Sequence, residues 1–316
     1  MVNKNMKVLF TGGGGAGNEL IYRLLGDKYD IYFADASKDN INPLIPEEKR
    51  LEIPFASHEN FVSEIVSICK LHNIDLLIPS VDEELPFMKD VQGALPSLDI
   101  LLPDHEHVVL MMDKLKLMQT FADKGVDAPY TTTLDNIDEL SYPFFVKPRW
   151  GRGSRGIQVI YSESDLKQYR TNSEYEDSEI IAQDLMSGVE YTVMMSADRY
   201  GRLHAIVPVK VDLKKGITIK AETERNNLVT NACQKIHNVF LTKGCYNIQV
   251  FLQPDGTVLP IEINPRISTT FCLGISSGVE AIENYFKEEK SSTLDKNWKS
   301  EVKLHRHWVN YISKDK

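Results

Sequence analysis

Two glycine-rich runs and one short acidic strand hold the residues of this sequence whose types and spacing suit chemistry. The first run, Gly12 to Gly17, satisfies G-x-G-x-x-G between an apolar strand and a helix-like stretch, and Asp35 closes the following strand. Glycines permit close backbone approach, the helix N-terminus can hold a phosphate, and Asp35 can accept from a ribose. That context suits a nicotinamide oxidoreductase. It also suits a plain strand-to-helix joint or a substrate-facing turn, so both readings stand.

The second run follows a strand lysine. Phe145-Val-Lys147-Pro148 leads into Arg149-Trp-Gly151-Arg152-Gly153-Ser154-Arg155-Gly156. Three glycines in six residues let the chain fold over phosphates, whose oxygens can take bonds from backbone N–H groups, Ser154 and the arginines. Lys147 sits as a point charge beside them. The plain alternative is a hairpin with surface arginines.

Glu262-Ile-Asn264-Pro-Arg266 is the strongest local signal. Residues two apart on a strand leave the same face, so Glu262 and Asn264 project together. Gln249 lies on the strand before the Asp255-Gly256 turn and can join them. Oxygen ligands on one face suit magnesium, completed by phosphate oxygens and water. Arg266 is placed to meet a transferring phosphoryl group. In Gln183-Asp184-Leu185-Met186-Ser-Gly-Val-Glu190, backbone can bond an adenine edge, Leu185 and Met186 can wall it, and Glu190 can bind ribose hydroxyls.

These groups need a scaffold, and the apolar periodicity supplies one. Lys7–Thr11, Tyr29–Ala34, Asp75–Pro79 and Leu98–Leu102 read as strands alternating with helices, which predicts a parallel sheet covered on both faces. One helix is expected over Phe61–His72, with Phe61, Ile65, Ile68 and Leu71 on one face. Asp104–Lys124 reads as a single amphipathic helical segment containing Asp113-Lys114. Beyond it, short strands from Phe144 to Ile263 predict mixed α+β structure with antiparallel sheets. Residues after Phe286 read as a solvated helix or packing arm.

The 316 residues, 42% hydrophobic and 26% charged, allow two or three domains. A net charge of −9 argues against nonspecific nucleic-acid binding. No run approaches the roughly 18 apolar residues of a spanning helix, and the expected location is cytoplasmic. The four scattered cysteines, Cys69, Cys233, Cys245 and Cys272, read as buried thiols rather than a metal or redox set. The histidines, His58 and His237 among them, read as structural or exposed. His305 and His307 alternate near the end and would give a metal only two ligands.

In order and type, Lys114, Lys147, Gly151 to Gly156, Glu190 and Glu262-Ile-Asn264-Pro-Arg266 resemble the ATP-grasp superfamily. The likeness is strongest to one synthetase half of the carbamoyl-phosphate synthase large subunit and its small ligase relatives. It covers nearly everything except the tail. It implies a Rossmann-like pre-ATP-grasp domain over 1–103 and a two-lobed ATP-grasp fold. The small lobe with its phosphate lid would span 104–184, the large lobe with the metal site 185–290, and a charged extension 291–316.

By that resemblance Lys114 and Lys147 are the nucleotide lysines, and Arg152, Gly153, Ser154, Arg155 and Gly156 belong to the lid. Gln183 stands on the ribose or adenine side, Asp184 to Met186 form the adenine hinge, and Glu190 binds ribose. Lys210 approaches the adenine or α-phosphate, Gln249, Glu262 and Asn264 hold Mg²⁺ or Mn²⁺, and Arg266 serves the transition state. The implied activity is ATP-dependent joining of a small carboxylate to an amine, without nucleic acid or membrane, by a monomer or homodimer. A nucleotide-binding regulator without turnover is the alternative within the same family. Ile267-Ser268-Thr-Thr270 replaces a segment that carries a further arginine in the synthetase, and there is one ATP unit and no glutaminase, which argues against carbamoyl phosphate as product. Ser80-Val-Asp82-Glu83-Glu84 offers Asp82 or Glu83 to a cationic amine.

Overall fold

Val8, Leu9 and Phe10 are fully buried in succession, as a strand covered on both faces must be. The computed structural model describes residues 6–151, 153, 155–288 and 294–312. Its first unit contains β1 (Lys7–Thr11), α1 (Asn18–Leu25), β2 (Asp30–Asp35), β3 (Arg50–Glu52), α2 (Phe61–His72), β4 (Leu76–Ile78), α3 (Met88–Ala94) and β5 (Asp99–Ile100). The five strands pair in the order β3-β2-β1-β4-β5, all parallel. In α2 the buried stripe runs Phe61–Ile65–Cys69, and Leu71 is 75% exposed. An i, i+4, i+8 stripe drifts away from position 71, which corrects the expected face.

Two helices, α4 (His105–Met112) and α5 (Lys114–Asp123), replace the single segment expected over 104–124. Asp113 breaks them apart in extended conformation, and its carboxylate accepts from the Lys116 N–H to cap α5. The same carboxylate takes both Arg149 Nε and Nη2 at 2.7 Å, tying the helix start to the base of the second glycine turn.

The next sheet is antiparallel, with β6 (Thr131–Thr133), β7 (Phe144–Pro148), β8 (Gln158–Ile160), α6 (Glu163–Asn172) and β9 (Ile180–Asp184). Its strand order is β6-β9-β7-β8. The largest sheet holds β10 (Val189–Ala197), β11 (Leu203–Lys215), β12 (Ile217–Thr223), β13 (Cys245–Leu252), β14 (Val258–Asn264) and β15 (Lys303–His305), in the order β14-β13-β10-β11-β12-β15. Helices α7 (Asn227–Phe240), α8 (Phe271–Ser276) and α9 (Ala281–Tyr285) accompany it.

One apolar core joins the first and largest sheets, with Phe10, Ile31 and Phe33 meeting Met194, Val207 and Phe271. The charged tail contributes to it: Trp298 is buried, and β15 sets Leu304 into the same core. Trp308 is 88% exposed. All four cysteines are buried and free. Among the described residues no helix is long and apolar enough to cross a membrane.

Candidate active site

A cleft of about 1080 Å³ opens where the three sheets meet, and both glycine runs line it. On one wall β7 delivers Lys147. Its side chain is 5% exposed, and Nζ donates to the Ile261 carbonyl at 3.1 Å. That carbonyl is available because β13 and β14 slip register there: Gln249 faces Glu262, but Val250 faces Pro260, leaving Ile261 as the extra residue of a bulge. Burial lowers the Lys147 pKa to about 8. Glu262 and Glu190 oppose the shift, whereas the Lys114 and Lys214 ammoniums add to it. Lys114 is equally buried, and its Nζ donates to Gly151 O at 2.8 Å.

The second turn is held at its ends and open between them. Arg149 is fixed by Asp113, and Tyr169 Oη donates to Gly156 O at 2.8 Å. Gly151, Gly153 and Gly156 all have positive φ, and a side chain at Gly151 or Gly153 would meet nothing within 4 Å. Arg155 and Gly153 line the cleft. Arg152 and Ser154 lie outside the described residues.

An apolar slot continues from this turn, built from Phe145, Val159, Leu185, Met186 and Phe251. Gln183 and Asp184 stand beside it. Gln183 is 2% exposed and donates to Thr131 Oγ1 at 2.7 Å, while Asp184 accepts from Tyr130 N at 3.1 Å. Beyond the slot, the directly opposed pairs Gln249–Glu262 and Asn247–Asn264 place their side chains on one face. Gln249, Glu262 and Asn264 all line the cleft. One carboxylate and two amide oxygens are hard donors suited to Mg²⁺ when phosphate and water complete the shell. Among the described residues there is no group of three His, Cys, Asp or Glu that could hold a metal unaided, so His305 and His307 form no such site.

The structure brings Lys114, Lys147, Gly153, Arg155, Gln183 to Met186, Glu190, Gln249, Glu262, Asn264 and Arg266 to this one cleft. Gly156 closes the turn beside it. Lys210 is the exception. It lies opposite Tyr191, whose ring is packed in the core behind the sheet, and its Nζ stands 3.9 Å from Glu222 and 4.0 Å from Glu224. The lysine that β11 does send into the cleft is Lys214, which sequence reasoning missed. Two register breaks between β11 and β12, at Val211/Leu213 and Leu213/Lys214, interrupt the alternation that would have foretold its direction.

Arg266 reaches the cleft paired. Nε and Nη2 grip both oxygens of Asp82, the Nη2 contact at 3.1 Å, and Nη1 donates to Ile267 O. The Asp82 carboxylate expected for an amine is thus turned to Arg266, and Ser80, Val81 and Glu83 are the residues of that loop lining the cleft. Asp35 is likewise engaged, accepting from Gly14 N at 2.9 Å and Asn40 Nδ2 at 2.8 Å. Those bonds brace the first turn from within, where a dinucleotide site would need the carboxylate turned to a ribose. Ser268 and Thr270, hydrogen-bonded to each other at 2.7 Å, line the same end.

A parallel α/β unit, a small antiparallel sheet and a larger one enclosing such a cleft define the class of fold: the chain has the ATP-grasp fold. The family model described as "ATP-grasp in the biosynthetic pathway with Ter operon" matches residues 176–311. Among curated proteins the chain is similar to a carbamoyl-phosphate synthase of Methanobrevibacter smithii, 23% identical over 302 residues, covering 88% of this chain and 80% of that one. It is also similar to the carbamoyl phosphate synthase large chains of Renibacterium salmoninarum (29% over 154 residues, 43% of this chain) and Campylobacter jejuni (24% over 236 residues, 66% of this chain). The chain spans only 14% and 22% of those two large chains. Of solved structures, a Campylobacter jejuni biotin carboxylase matches with TM-score 0.69 at 17% identity, covering 88% of this chain and 69% of that one. An L-amino acid ligase from Bacillus licheniformis matches with TM-score 0.64 at 19% identity, covering 89% and 72%. At such identities these structures establish the shared fold.

Proposed function

We propose that this protein is an ATP- and magnesium-dependent ligase that activates a carboxylate as an acylphosphate and joins it to an amine. The observation that carries the reading is the convergence, in one cleft, of Lys114, Lys147 and a glycine turn with Gln249, Glu262 and Asn264 on one strand face. In this assignment residues 1–103 form the pre-ATP-grasp domain, 104–184 and 185–290 the two lobes, and 291–316 an extension. The biotin carboxylase and amino acid ligase among the similar folds support a carboxylate as the group activated.

The adenine would enter the slot of Phe145, Val159, Leu185, Met186 and Phe251, with Gln183 and Asp184 at its rim and Glu190 toward the ribose. Lys114, Lys147 and the N–H groups of the second turn would then face the phosphates. Magnesium held by Glu262, Gln249 and Asn264 would supply charge neutralisation on the phosphate oxygens. A substrate carboxylate oxygen forms a bond to the γ-phosphorus as the bond to the β-phosphate oxygen breaks, releasing ADP. The amine then attacks the acyl carbon, and inorganic phosphate leaves. Charge stabilisation by lysines and Arg266 suffices for such a transfer, so no nucleophilic Ser or Cys is required. The turn, closed over the reactants, would exclude the water that hydrolyses an acylphosphate.

The test is ADP release with ATP and Mg²⁺ over a panel of amino acids and other small carboxylates. Glu262→Ala should lower turnover by about 10²–10³-fold while leaving the circular dichroism spectrum unchanged. Undiminished turnover in that variant sinks the metal assignment. Nucleotide binding without turnover on any substrate pair would favour a regulatory protein of the same fold.

A further inference from the structure

Lys214 has no part in the roles assigned above, yet it occupies their centre. Its Nζ donates to Glu190 Oε1 at 2.6 Å and to Gln249 Oε1 at 3.2 Å. These are one proposed ribose acceptor and one proposed metal ligand. Lys214 also stands two residues before Gly216, the positive-φ turn between β11 and β12, where an added Cβ would lie 3.9 Å from Gly153 O. The hairpin tip carrying Lys214 therefore lies close to the second glycine turn. Its ammonium and those of Lys114 and Lys147 share one cleft, and the Lys147 pKa, depressed chiefly by burial, is lowered further by the other two charges. A polyanion relieves such repulsion; Glu190 and Gln249 meet only part of it.

We propose that Lys214 is an exchangeable clamp: a nucleotide binds by taking Glu190 and Gln249 from it and giving the ammonium a phosphate oxygen in return. The inference rests on the ATP reading above and adds a residue and a binding order to it. Two acceptors change partners, and the total charge in the cleft stays close to balanced. No covalent step is involved. A lysine suits the exchange because its flexible stem and three donors can swing between acceptors without a fixed fork geometry.

The exchange predicts opposite effects on two probes, measured by titration calorimetry on the full chain. For Lys214→Met, MgADP affinity should fall about tenfold or more, the loss of a charge-assisted bond to phosphate. Adenosine affinity should rise about two- to fivefold, because Glu190 no longer leaves a partly exposed ion pair to meet the ribose. Lys214→Arg keeps the charge but imposes a fixed fork, and its MgADP affinity should fall less than that of Lys214→Met. General damage to the cleft would weaken both ligands together, and that result overturns the clamp. So does Lys214→Met binding both probes as the wild type does. If the methionine variant fails to fold, Lys214→Gln carries the same predictions. Wild-type protein that is folded and binds no MgADP would instead sink the ATP reading itself, a distinguishable failure.

Discussion

The two glycine runs face the same cleft and use glycine for opposite reasons. In the first, glycine makes room. A Cβ on Gly12 would stand 2.6 Å from Val81 Cγ2, on Gly13 3.0 Å from Ile41, and on Gly17 3.1 Å from Cys272 Sγ and 3.3 Å from Thr269 O. The turn is a packed joint between the parallel unit and α8, braced inside by Asp35 and by Asn18, which donates to the carbonyls of Gly12 and Gly13. In the second, Gly151 and Gly153 have positive φ and open space around them. Glycine there permits a backbone path rather than a close contact. The run that matches a named fingerprint is built as scaffold, and the less regular one leaves open space at Gly151 and Gly153.

Substitutions can break this contrast. The largest effect belongs to the packed joint: Gly17→Val combines a left-handed φ with a clash against α8, and should cost about 3 kcal/mol, read as a lower urea midpoint. A midpoint equal to the wild type would mean that the joint is as open as the lid. Next comes the charge beneath the second turn. Only the ammonium form of Lys147 attracts phosphate, and its pKa in the free protein is about 8. MgADP affinity should therefore be full below pH 8 and fall by up to about tenfold per unit above it, until the raised pKa of the bound state is reached. Lys147→Arg should flatten that profile, whereas a slope retained in the arginine variant would assign it to another group. The smallest effect is on the lid: Gly153→Ala meets no neighbour and should cost about 1–2 kcal/mol for its φ alone. Its MgADP affinity should drop while the first turn's packing stays intact; an unchanged affinity would remove the turn from nucleotide binding.

Much of this architecture was legible because it is local. β1, the first turn and α1 follow from an apolar run, glycines and a helical stripe, and the shared face of Glu262 and Asn264 follows from strand parity. What escaped the sequence depends on departures from regularity or on distant pairs. Lys214 points into the cleft through register slips that no periodicity encodes, whereas Lys210, the lysine expected there, stands beside Glu222 and Glu224. The grip of Asp82 on Arg266 joins residues 184 positions apart. The break at Asp113 is a capping event inside an apparently continuous helix. β15 is three residues long within a charged stretch, too short to show alternation.

That last strand sets a schedule for the nascent chain. β12 is synthesised with only β11 to pair with, and its outer partner emerges roughly 80 residues later, on the order of 4–16 s at ribosomal rates. Arg306, next along, donates to the carbonyls of Thr218 and Thr269, two residues that line the cleft. Until the ribosome has passed this point, the hairpin that carries Lys214 has an open edge, and the floor beneath it is unstapled. For those roughly 80 residues of synthesis the growing polypeptide carries an unpaired sheet margin, open to pairing with another chain.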